Sequence, residues 1–178
     1  MKKRNKINKL ALSGMFLAIS YVLPFITGQI PEIGNMLCPM HIPVLICGYI
    51  CGAPWGLAVG FIAPLLRSLT LGMPTLFPRA VAMAFELATY GFFTGMLYHS
   101  LPKKKKYIYA TLIIAMVMGR LVWGTVQLAC LGFDLNKFTF SAFWTASVVN
   151  AIPGIIIQIV LVPIIVMLLD KSKIIKKK

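Results

Sequence analysis

Between Leu10 and Leu169 the chain is a succession of apolar runs, and nearly all of its lysines lie outside them. A helix needs about 20 apolar residues to cross a bilayer core, so these runs have the length of membrane spans or of fractions of one. Lys2, Lys3, Arg4, Lys6 and Lys9 form one basic cluster, Lys103 to Lys106 a second, and Lys171, Lys173, Lys176, Lys177 and Lys178 a third. Basic clusters flanking apolar runs mark the cytoplasmic ends of membrane helices. The formal charge of +14 is therefore a topology map before it is a statement about partners, and it gives no reason to expect nucleic acid. With 59% hydrophobic and 12% charged residues, a water-soluble globule is excluded.

A chain of 178 residues has room for about six spans and for no separate soluble domain, so residues 1–178 are expected to form one integral membrane unit with basic tails at 1–9 and 171–178. The first span is expected from Leu10 to Thr27 as a retained helix, since no small-x-small cleavage site follows it. A loop from Gly28 to Pro39 lies opposite the lysines. The apolar stretch from Met40 to Leu66 is interrupted by Cys51-Gly52-Ala53-Pro54, which predicts two short segments of about 15 residues joined by a tight turn. They read equally as short spans or as a re-entrant hairpin. A second outer loop, Arg67 to Pro78, leads to a fourth helix from Arg79 to Tyr98. A fifth runs from Tyr107 to Leu131 and a third outer loop from Gly132 to Thr139. The sixth runs from Phe140 to Leu169, with kinks expected at Pro153 and Pro163. The fold class is thus all-α, a polytopic six-helix membrane bundle with both termini cytoplasmic in the cell membrane.

Small residues mark where helices can approach. Gly48, Gly52, Gly56 and Gly60 recur every fourth residue, and Gly91 and Gly95 repeat the spacing in the fourth helix. Packing of the chain's own helices is the simplest reading. Ala11, Gly14 and Ala18 make a similar strip on the first helix, where a partner membrane subunit could dock.

Ionisable residues inside a span cost about 2.5–3.5 kcal/mol on insertion scales, which makes each one a functional candidate. Glu86 is expected about 10 Å down from the outer end of its helix, Arg120 about 16 Å and Asn150 about 15 Å, so three helices place polar groups at one level. Arg79, Glu86 and Tyr90 share one helical stripe, and Arg120, Gly124 and Gln127 another. Trp123 and Trp144 are close enough to wall a cavity there, and His41 lines it or caps a helix. A structural Glu86–Arg120 ion pair is the plain alternative. Outside the three clusters the outer half carries Arg67, Arg79, Arg120 and Lys137 against Glu32, Glu86 and Asp134. Three of those four cations are arginines, whose planar fork suits a carboxylate or phosphate.

Phosphate-loop, HExxH and Ser-His-Asp patterns are all lacking, so no enzymatic activity is expected. Cys38 and His41 stand three apart without a third ligand, so no metal is expected either. Cys47 and Cys51 read as packing residues.

The stretches ALSGMFLAISYVLPFITGQIPEIGNMLCPMHIPVLICGYICG, PLLRSLTLGMPTLFPRAVAMAFELATYG and MGRLVWG resemble the substrate-binding subunit, or S component, of energy-coupling factor (ECF) transporters. These are the vitamin-uptake branch of ATP-binding cassette importers, and the resemblance covers the whole chain. It implies that a vitamin is bound between the outer loops and helices 4 to 6, with the Gly28 to Pro39 loop as a lid. It also implies that the subunit topples on meeting a transmembrane coupling subunit and two cytoplasmic ATPases. ATP is then used by the partners and this chain carries no cofactor. The strip that docks the coupling subunit corresponds to Ala11, Gly14 and Ala18, although Met15 interrupts the regular alanine spacing. Pantothenate, with its carboxylate, is the leading substrate type on the strength of the arginines. Riboflavin, thiamine, pyridoxine or a pyrimidine precursor would instead use Trp123, Trp144, Tyr90 and Asn150. A small proton-coupled transporter working through Glu86 is the rival reading.

Overall fold

The computed structural model of the chain describes residues 2–26, 38–102, 104–132, 145 and 151–171. These form six α-helices with no strand among them: α1 (Lys2–Ile26), α2 (His41–Cys51), α3 (Ala53–Leu71), α4 (Val81–Ser100), α5 (Lys105–Cys130) and α6 (Ile152–Lys171). A short π-helical turn, Leu76–Ala80, leads into α4. All but α2 are long and apolar enough to cross a membrane. The chain is a multi-pass membrane protein, and the basic tail at its start continues α1 because lysine and arginine are good helix formers.

The stretch from Met40 divides at Gly52, but into unequal parts. Helix α2 has 11 residues and α3 has 19. Gly52 takes a φ of 96°, a region that disfavours any side chain, and its N–H closes α2 on the Gly48 carbonyl. Pro54 then sits in the first turn of α3, where its missing N–H costs nothing. Every residue of α2 is buried, so this helix forms the axis of the bundle instead of one wall of it. Lys9 of α1 donates to the Cys51 carbonyl at 2.8 Å, placing a cation at the C-terminal end of α2, where the helix dipole favours one.

Two boundaries differ from the sequence expectation for identifiable reasons. Helix α3 does not stop at Leu66; it runs to Leu71 and ends at Gly72, whose φ of 68° and N–H bond to the Ser68 carbonyl terminate it just before Pro74. Arg67 and Ser68 therefore belong to a buried helix face, not to a loop. Helix α6 starts at Ile152, so Pro153 lies in its first turn, where proline is tolerated, while Pro163 is inside. Residues 133–139 of the expected third loop, and 140–144 and 146–150 of the expected sixth span with Trp144 and Asn150, lie outside the described residues, as do 28–37 of the expected lid.

The glycines pack the chain's own helices. A Cβ on Gly56 would stand 2.5 Å from the Gly91 carbonyl oxygen, and Cβ atoms on Gly60 and Gly95 would strike the backbones of Leu87 and Ala53. The α3 and α4 backbones are in contact along this seam, as small-xxx-small spacing allows. Helix α1 lies on α2 and α3 through a stripe that includes Ser13, Phe16 and Ser20, with Ser13 and Ser20 hydroxyls returned to their own helix backbone. Its Ala11, Gly14 and Ala18 face outward.

Candidate functional site

Helix α4 carries the glycine seam on one face and Glu86 and Tyr90 on another. Both side chains are fully buried. Glu86 is the hub of the cluster: Arg120 Nη1 of α5 lies 2.9 Å from its Oε1, and the Tyr90 hydroxyl donates to the same oxygen at 2.8 Å. His41, in the first turn of α2, brings Nε2 to 3.6 Å from that oxygen, beyond hydrogen-bond length, and stacks its ring at 5.4 Å from the Tyr90 ring in a tilted arrangement. Three helices thus converge on one carboxylate oxygen.

The sequence MGRLVWG explains how α5 comes so close. A Cβ on Gly119 would collide with the Tyr90 ring, so glycine at that position admits the ring. The next residue, Arg120, is then aligned with Glu86. Arg120 also points Nη2 at the Cys38 sulfur, 4.0 Å away. Cys38 has a φ of 46°, uncommon outside glycine, and turns the chain into α2. Burial pushes its thiol above the ordinary range while Arg120 pulls the other way, so the sulfur stays a neutral neighbour of the guanidinium.

Several polar atoms of this cluster have no hydrogen-bond partner among the described residues. Both His41 ring nitrogens, Arg120 Nε and Gln127 Oε1 are buried and unpaired. A buried polar atom left unpaired costs about 1–3 kcal/mol, and native structures carry few of them. Gln127 lies two turns along α5 from Arg120 on the same face, with the partly buried Trp123 between them.

The remaining arginines are elsewhere. Arg67 is buried against α1, donating from Nη1 to the Tyr21 carbonyl at 3.0 Å with its guanidinium 5.1 Å from the Phe25 ring centre. It ties α3 to α1 because α3 continues past it, and it does not reach the Glu86 cluster. Arg79, in the Leu76–Ala80 turn, is exposed and pairs with none of the described residues. Trp144 and Asn150 lie outside the described residues. Among the described residues no three His, Cys, Asp or Glu side chains gather as a metal site would require.

Two further polar groups carried less signal in the sequence. Cys38 enters there only as half of an incomplete metal pair with His41, and its proximity to Arg120 depends on the turn into α2. Gln158 sits in the run Ile-Ile-Ile-Gln-Ile-Val, yet its amide is buried with both polar atoms unpaired among the described residues. At 1.5 Å per residue, Glu86, Arg120 and Gln158 lie about 21, 22 and 20 Å from the lysine-side ends of their helices. A glutamine inside an isoleucine run was the available signal.

The bundle thus sets a polar layer in its lysine-poor half. The chain matches the family described as "ECF transporter, substrate-specific component" over residues 8–166, and it belongs to that family. No curated protein and no solved structure matches the chain.

Proposed function

We propose that this chain captures a small vitamin-like molecule at the Glu86–Arg120 layer and passes it to an ECF importer. The convergence of Glu86, Tyr90, Arg120 and His41 from three helices, in a member of this family, is the observation that carries the reading. The unpaired atoms of His41, Arg120 and Gln127 supply hydrogen-bonding capacity that the described residues leave open. Gln127 and Trp123 extend the site along α5, and Arg79 lies at its entrance. Trp144 and Asn150 are assigned to the same site from the sequence.

The lysine-bearing end faces the cytoplasm, following the positive-inside bias. There the chain meets a transmembrane coupling subunit and two ATPases. These use ATP, while this chain needs no cofactor and performs no catalysis. The coupling subunit docks on α1, where Ala11, Gly14 and Ala18 are exposed. Gly14 and Ala18 line an apolar groove of about 360 Å³ with Leu17, Val22 and Leu66, and a Cβ on Gly14 would meet nothing within 4 Å. Such a surface admits a partner helix closely. The bound molecule is delivered when the subunit topples against that partner.

A pantothenate-like carboxylate is the substrate type that the arginines invite, but only Arg120 stands in the cluster, and Glu86 already holds it. A second carboxylate about 4 Å from Glu86 is opposed by about 4 kcal/mol at an effective dielectric of about 20. Purifying the chain alone in detergent and screening B vitamins by thermal shift tests the reading. Submicromolar binding without ATPase partners, lost in Arg120→Ala, is expected. If no vitamin binds and reconstituted vesicles instead show proton-driven flux lost in Glu86→Gln, the chain is a secondary transporter and the reading fails.

A further inference from the structure

Resting on the capture reading, we infer that the ligand is uncharged and meets the Glu86–Arg120 layer with adjacent hydrogen-bond acceptor and donor groups. A lactam, imide or carboxamide edge has this character, whereas a carboxylate or phosphate does not. The first reason is charge balance. Glu86 and Arg120 are paired at 2.9 Å and cancel one another, and Glu86 is 1% exposed, so little solvent is present to screen an added charge. The other two arginines that would favour an anion are not in the cluster: Arg67 is bonded to Tyr21 on the α1 side, and Arg79 is exposed in the turn before α4.

The second reason is the chemistry of the atoms left open. Arg120 Nε is a donor and Gln127 Oε1 an acceptor, and both are left without a hydrogen-bond partner among the described residues. A carboxylate group supplies acceptors only, so in contact with this layer it would leave Gln127 Oε1 unpaired. A neutral amide edge presents both kinds of group and can pair with both kinds of atom. Cys38, whose sulfur lies 4.0 Å from Arg120 Nη2, keeps a neutral thiol and adds no charge. A site that forms hydrogen bonds of both senses discriminates strongly against a ligand that offers only one.

The test begins with the protein as it is made. The chain is purified in detergent, denatured, and the small molecules it releases are identified by mass spectrometry. The purified chain is then titrated by calorimetry with matched pairs that differ in charge: nicotinamide and nicotinate, pantothenol and pantothenate, uracil and uracil-6-carboxylate. A released compound that is uncharged at neutral pH is expected, and in any pair that binds, the uncharged member should bind at least about tenfold tighter. Glu86→Gln frees Arg120 and should shift that preference about tenfold or more toward the acid. A released carboxylate or phosphate, or tighter binding of the acids by the unmodified chain, overturns the inference and leaves the capture reading standing. If nothing is released and no member of any pair binds, the capture reading itself fails and the inference with it.

Discussion

The two faces of α4 are built on opposite terms. Toward α3, Gly91 and Gly95 meet Gly56, Gly52 and Ala53 backbone to backbone, with no side chain between them. Toward α2 and α5, Glu86 and Tyr90 meet His41 and Arg120 through polar side chains, some of whose atoms remain unpaired among the described residues. The first face is closed and gains from van der Waals packing alone. The second holds buried charge that is only partly satisfied. In the proposed function that second face is where the solute is bound, and the glycine seam packs the opposite side of the same helix.

Removing one partner of the buried ion pair should have the largest effect. Arg120→Ala leaves Glu86 buried without its cation, and a loss of about 3–5 kcal/mol is expected, read as a fall in the unfolding midpoint in detergent. The closed face comes next. Gly91→Ala directs a methyl group into the Gly56 backbone, which cannot yield as a side chain would, and should cost about 3 kcal/mol. An unchanged midpoint would show that the α3–α4 seam is not close-packed. Tyr90→Phe keeps the ring against Gly119 and removes only the hydroxyl bond to Glu86, so a loss of about 1.5 kcal/mol is expected in the same measurement. Arg79→Ala, at an exposed position, should change stability by no more than about 0.5 kcal/mol. A large loss of stability there would mean that the turn before α4 supports the cluster.

Much of this contrast is legible in the amino-acid sequence. Glu86 and Arg120 stand out because charges are rare in apolar runs, and counting residues from the helix ends places them at similar depths. The Gly52-Ala53-Pro54 break and the four-residue glycine spacing announce a turn and close helix contact. Other features depend on tertiary context. Apart from His41 and Tyr49, α2 is apolar all round and shows no amphipathic face, so nothing in its pattern distinguishes a buried central helix of 11 residues from a short span. Arg67 has the charge of a loop residue, and only burial against Tyr21 and Phe25 shows that α3 continues through it. Cys38 joins the cluster through a backbone turn that no periodicity records.

The most direct test of the central claim is calorimetric titration of the purified chain, without partner subunits, with the small molecule recovered from it. Binding of one molecule per chain is predicted, at submicromolar affinity and weakened at least about 100-fold in Arg120→Lys, which keeps the charge but loses the planar fork. Affinity unchanged by Arg120→Lys and by Glu86→Gln would place the site elsewhere and contradict the account.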